Sequence, residues 1–121
     1  MQKNIEDQEL EKLRQTVIES LEAINGEDII DLDITHLKTS ICRHYIICHA
    51  SATTRVKALA ESVEKNMREI HKLKPFHKEG FTNAQWILLD FSDIIVHIFL
   101  EDQRRFYNLE DLWADGIKRD I

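Results

Sequence analysis

The sequence predicts a single-domain α/β fold, a mixed β-sheet flanked by helices, and three observations predict it. The chain has 121 residues, the size of one ordinary domain, with no repeat, low-complexity run or linker to divide it. Its apolar patterns alternate in the order helix, strand, strand, helix, strand, strand, helix, which calls for a sheet with helices packed on it. One strand-like run, residues 41–48 (ICRHYIIC), carries so few charges that both of its faces need cover.

Taken in order, residues 1–9 are polar and are expected to form a flexible N-terminus. Leu10, Leu13, Val17, Leu21 and Ile24 recur at helical spacing, so a helix spans residues 8–24, stopped by Asn25 and Gly26. Residues 28–34 (DIIDLDI) are rich in β-branched side chains and read as a strand, followed by the strand at 41–48. The small and hydroxyl residues at 50–54 suit a helix start. The helix behind them places Val56, Leu59, Ala60, Val63, Met67 and Ile70 on one face and ends near Pro75. Residues 75–85 form a loop with room for a short edge strand. Two apolar runs, 86–90 and 94–100, flank Phe91-Ser92-Asp93, a hairpin length without the favoured glycine. Residues 101–107 and 109–113 are short helical turns, the second with Asn108 as its cap. The folded domain is therefore set at residues 10–115, with 116–121 as a tail.

Charge and composition narrow the function. The formal net charge is 16 − 22 = −6, which opposes a broad grip on phosphate backbones. The balance is uneven. Residues 52–74 hold six basic against three acidic side chains, a local +3, whereas residues 86–116 hold two against seven, a local −5. The most apolar stretch, 86–100, is too short for a membrane span and is interrupted by Asp90, Asp93 and His97. The N-terminus has no apolar signal-peptide core, so a cytoplasmic protein is expected, with Cys42 and Cys48 as buried thiols.

Few constellations suit chemistry. Asp31 and Asp33 sit two apart on a strand, so both carboxylates point one way, as a metal-dependent nucleotidyltransferase would need. No glycine-rich loop for a triphosphate precedes them, and an Asp pair at a solvent-facing strand edge is the plainer account. Cys42, His44 and Cys48 are expected on one face of their strand. Steps of ~6–7 Å keep the outer two from a shared metal. His49 points away from Cys48, which leaves that thiol without a base, and His71 and His77 read as surface residues. No catalytic residue, metal or cofactor is expected.

The acidic segment is different. Trp86, Phe99, Phe106, Tyr107 and Trp113 are interleaved with its carboxylates, a pattern that suits a protein-binding surface. Phe99, Phe106 and Trp113 are assigned to the core and Trp86 to the interface.

Three runs in this segment, WILLD at 86–90, DIIVHIF at 93–99 and RFYNLEDLW at 105–113, resemble the signature of the ribosomal silencing factors, the Iojap family. DIIDLD at 28–33 and YIIC at 45–48 are similar to the family's first strands. The likeness covers residues 10–115. Arg43, Ala50 and Ser92 stand where the family usually has Asp, Gly and Gly. The resemblance implies a nucleotidyltransferase-like fold without a catalytic loop, a homodimer, and binding to the large ribosomal subunit through a ribosomal protein of the L-fourteen family. Occupying that site would exclude the small subunit and repress translation when nutrients are short. The acidic charge and the shortness of the apolar runs add the expectation of no direct sequence-specific nucleic-acid binding and no membrane partner. The residues expected to meet the ribosomal protein are Trp86, Asp90, His97, Glu101, Arg105, Tyr107, Glu110 and Asp111.

Overall fold

In the computed structural model, which describes residues 2–37 and 42–121, six strands form one sheet in the order β3-β4-β5-β2-β1-β6. The elements are α1 (Gln2–Ala23), β1 (Glu27–Asp33), β2 (His44–Ala50), α2 (Thr53–His71), β3 (His77–Glu79), β4 (Trp86–Asp90), β5 (Ile94–Leu100), α3 (Glu101–Tyr107), α4 (Leu109–Leu112) and β6 (Ile117–Asp120). β2 and β5 run parallel and the other neighbours antiparallel, so the sheet is mixed as expected. Every residue of β2 is buried, because helices cover one face and an aromatic cluster the other.

α1 and α2 pack side by side on the first face. Leu10, Val17 and Leu21 of α1 meet Val56, Leu59, Val63 and Met67 of α2 over Ile46, Cys48, Val96 and Ile98. Burying such side chains stabilises by roughly 1.5–3 kcal/mol each relative to exposure. Asn25 takes the left-handed conformation (φ 62°) that ends α1, and the Gly26 amide closes back on the Leu21 carbonyl at 2.9 Å.

Several boundaries differ from the sequence expectation. The helical backbone of α1 reaches back to Gln2, past the first apolar residue of the repeat. Residues 117–120 are a strand paired to β1 rather than a tail. β1 is therefore interior, not an edge. β2 begins at His44, and Ile41 lies outside the described residues. Cys42, just before the strand, enters the cluster on the far face while Cys48 stays under the helices, so the two thiols do not share a face. No side-chain hydroxyl caps α2; its first turn closes on the Ala52 carbonyl alone. Ile70 is 63% exposed, because α2 has by then passed the sheet. The expected edge strand exists as β3. The β4–β5 turn is tight, with Ser92 at φ 76° where glycine is favoured, and the Asp90 carboxylate accepts the Ser92 amide at 2.7 Å.

Candidate functional site

The second face of the sheet carries the site. Alternation along β4 and β5 sends Trp86, Leu88 and Asp90, and Ile95, His97 and Phe99, to the side away from α1 and α2. Parallel pairing of β2 adds Tyr45 beside Ile95, and Trp113, following α4, lies against it. The result is a continuous aromatic cluster. Trp86 stacks on Phe99 at 4.9 Å and meets Tyr107 at 4.6 Å, while Tyr45 is edge-on to His97 at 5.0 Å and to Trp113 at 5.5 Å. Trp86 is half-buried and Tyr107 is 47% exposed, so the cluster opens to solvent at this end. A groove of about 330 Å³ lies there, between Trp86, Tyr107, Asn83, Gln85 and Gln103.

His97 is the most constrained member. The Trp86 Nε1–H donates to His97 Nδ1 at 3.1 Å, so that nitrogen carries a lone pair and the proton sits on Nε2. That Nε2–H is buried and has no acceptor among the described residues. Burial alone pushes the ring down to a pKa of about 4, and it is neutral at pH 7. Burial also pushes the Tyr45 hydroxyl up to about 12.

The charged candidates divide. Glu101 and Arg105 pair with each other at 2.6 Å on the exposed side of α3. Asp111 is exposed and accepts a hydrogen bond from Asn108 Nδ2 at 2.7 Å. The Asn108 side chain thus bonds to Asp111 and not to a backbone amide, and Asn108 acts as a left-handed joint (φ 48°) between α3 and α4. Glu110 is tied into the fold through Arg104 at 3.2 Å, with Lys118 at 3.8 Å. Asp90 stands at the far end of β4, where it holds the Ser92 turn. The structure brings Trp86, His97 and Tyr107 together; it does not bring Glu110 or Asp90 to them. Phe106, assigned to the core, is 79% exposed, because the short α3 turns it outward and Tyr107 takes the place over Trp86.

Arg104 was not legible as important. It is buried, and its guanidinium bonds the Asp28 carbonyl (2.7 Å), His49 Nδ1 (2.9 Å) and Glu110 (3.2 Å), pinning α3 to the bulged start of β1. The only cue in the sequence was a basic residue inside an acidic run.

The Asp31–Asp33 pair is committed elsewhere. Asp31 is fully buried, with one carboxylate oxygen on Arg14 and the other on His44 Nδ1. Burial acts to raise its pKa, but the hydrogen bonds and charges of His44 and Arg14 outweigh it and hold the carboxyl below the ordinary range. Asp33 accepts the Thr35 amide at 3.0 Å. The expectation of a solvent-facing pair is thus overturned, and the nucleotidyl-transfer alternative loses its first metal ligand to an ion pair. Among the described residues, no group of three or more His, Cys, Asp or Glu side chains converges as metal ligands would. His71, taken as a plain surface residue, is half-buried and hydrogen-bonded to Thr16 Oγ1 at 2.7 Å. His77 is exposed as expected, paired with Glu79. No helix among the described residues is long and apolar enough to cross a membrane.

The architecture is that of a small mixed-sheet α/β domain with an aromatic cluster on one sheet face, and comparison with known proteins gives the family. Residues 7–121 match the model of "Ribosomal silencing factor during starvation". The chain is 36% identical over 106 residues to ribosomal silencing factor RsfS of Chromobacterium violaceum, covering 88% of this chain and 85% of that one. It is 35% identical over 96 residues to RsfS of Bacillus subtilis, covering 79% and 80%. A crystal structure of a Chromobacterium violaceum protein superposes with a TM-score of 0.81 at 36% identity, covering 86% of this chain and 85% of that one. The chain belongs to the ribosomal silencing factor family.

Proposed function

We propose that this protein represses translation by binding the large ribosomal subunit through a ribosomal protein of the L-fourteen family. It acts by occupancy and not by a chemical step. A domain roughly 30 Å across, as expected for this length, cannot be accommodated in a closed subunit interface. The small subunit is therefore excluded for as long as the factor stays bound, in the cytoplasm and under nutrient limitation. The factor acts as a homodimer.

The observation that carries this reading is the Trp86–Tyr107 end of the aromatic face, open to solvent and borne on a segment, residues 86–116, of local charge −5. An amphipathic aromatic at the rim of a groove is the usual anchor of a protein interface, and acidic neighbours speed encounter with a basic partner. Asn83, Gln85 and Gln103 line the same groove and can hydrogen-bond a partner's backbone.

The test is Trp86→Glu, assayed by co-sedimentation with purified large subunits and by a subunit-joining assay. A true anchor is worth about 2 kcal/mol or more, so binding should weaken at least about thirtyfold and joining should resume. Because Trp86 also stacks on Phe99, circular dichroism must first show the variant folded, with Tyr107→Ala as the milder companion. Undiminished co-sedimentation of both folded variants would remove this face from the interface.

A further inference from the structure

A second surface, at the other end of β4, carries the opposite charge. Where α2 ends, Arg68, Lys74 and Lys78 line a groove of about 440 Å³ together with Glu64, Phe76 and His77. Glu64 is already paired with Lys78 at 3.0 Å. Arg68 and Lys74 have no carboxylate within ion-pair distance among the described residues, so the groove holds two uncompensated cations in a chain of net charge −6. Phe76 stands on its rim, 72% exposed. Its backbone is tied to the sheet, because its amide donates to the Asp90 carbonyl at 2.8 Å, and the proline before it has its own φ locked by the ring. The ring is thus held outward beside free guanidinium and ammonium groups.

We propose that this groove binds single-stranded or loop RNA, with Arg68 and Lys74 on phosphates and Phe76 stacked on a base. The inference rests on the large-subunit reading above and extends it from the ribosomal protein to the RNA beside it. Three features favour RNA over an acidic protein segment. The cations are paired with an exposed aromatic platform, which is the combination single strands use, since every base offers a π-face. Five of the seven residues lining the groove are charged or polar, and its apolar ones are Pro75 and Phe76, whereas a protein anchor fills an apolar pocket. It is also placed to share a target with Trp86. Phe76 borders a smaller groove with Asp90 and Ile95, on the sheet face that carries Trp86, and the four residue steps from Trp86 to Asp90 span only about 13 Å. One assembly can touch both ends, its basic protein at the acidic end and its phosphates at the basic one. The overall negative charge keeps this contact local and sensitive to salt.

The test uses the full chain and a fluorescent single-stranded uridine oligonucleotide, with a polyglutamate peptide of equal length as the competing anion. Anisotropy should show weak RNA binding that falls steeply with salt. Arg68→Gln with Lys74→Gln should reduce the salt slope by about 1.4, for two phosphate contacts at about 0.7 each. Phe76→Ala should weaken binding about tenfold. No RNA binding, an unchanged slope in the double variant, or equal binding of polyglutamate would overturn the proposal. A separate arm measures capture of the isolated L-fourteen-family protein. The double variant should retain that capture while losing affinity for whole large subunits. Failure of the parent chain to capture the protein, with RNA binding intact, would reject the protein-partner reading and leave the groove standing.

Discussion

Replacing His97 by Phe should make the protein less sensitive to acid, by an amount the structure sets. His97 is neutral in the folded chain, with its Nδ1 occupied by the Trp86 N–H and its Nε2–H buried without an acceptor among the described residues. Its ordinary pKa of 6.5 falls to about 4 on folding, because burial excludes the charged ring. Between those values the unfolded chain takes up a proton that the folded chain refuses, so stability falls as the pH drops from 6.5 to 4. At about 1.4 kcal/mol per pH unit, the loss attributable to His97 is about 3 kcal/mol. The assay is urea unfolding of parent and variant between pH 4 and 7.5. The parent should lose about 3 kcal/mol more than His97→Phe across this range. His97→Asn, which keeps an acceptor near the Trp86 N–H but cannot titrate, should also lack this acid loss. Parallel pH profiles for parent and both variants would refute the assignment of a buried neutral imidazole.

Asp31→Asn should destabilise by about 2 kcal/mol at pH 7, since it leaves the half-buried Arg14 guanidinium with only the exposed Glu11 carboxylate, at 2.9 Å, as its counter-charge; chemical denaturation measures it. The Asp31 pKa is lowered on folding, so the pair's contribution is whole above the ordinary carboxylate value of 3.8 and is lost as pH falls through the lower folded value. Gly80→Ala should cost at least about 2 kcal/mol in thermal unfolding, because the new Cβ would lie 1.9 Å from the Trp86 carbonyl oxygen in a left-handed residue (φ 92°). Burial pushes both cysteine thiols up to about 12, so neither should react with a thiol reagent at pH 8 until the protein unfolds.

What could be read beforehand follows from which interactions leave a local pattern. The apolar face of α2 was legible from Val56 to Met67, because each turn of that helix meets the sheet. The β4–β5 hairpin was legible because two apolar runs are separated by three residues. β6 was not, since Ile117–Asp120 is exposed throughout and is held by hydrogen bonding to β1 and by ion pairs of Lys118 and Arg119, none of which leaves an apolar pattern. That single omission made Asp31 look like an edge residue. The long-range partners of Asp31, Arg14 and His44, left no trace in spacing. In the site, Trp86 and Tyr107 were named from the resemblance and do meet in space. Asn83 and Gln85 were missed because polar residues in a loop carry no periodicity, and Gln103 because the seven-residue α3 is too short for its faces to be told apart. Phe106 and Tyr107 are adjacent aromatics, and only the three-dimensional turn of α3 decides which one faces Trp86.

The pairing of β6 with β1 also bears on how the protein is made. Ile117 joins Asp33 across 117 − 33 = 84 residues. During synthesis β1 is complete early, yet one of its edges stays bare until these late residues emerge. A strand with free amides and carbonyls is a template for any other extended chain. Nascent chains of this protein translated close together on one messenger thus share a window in which β1 can recruit a neighbour's strand. A truncation before Ile117 would make that window permanent, and its expected signature is aggregation rather than loss of binding.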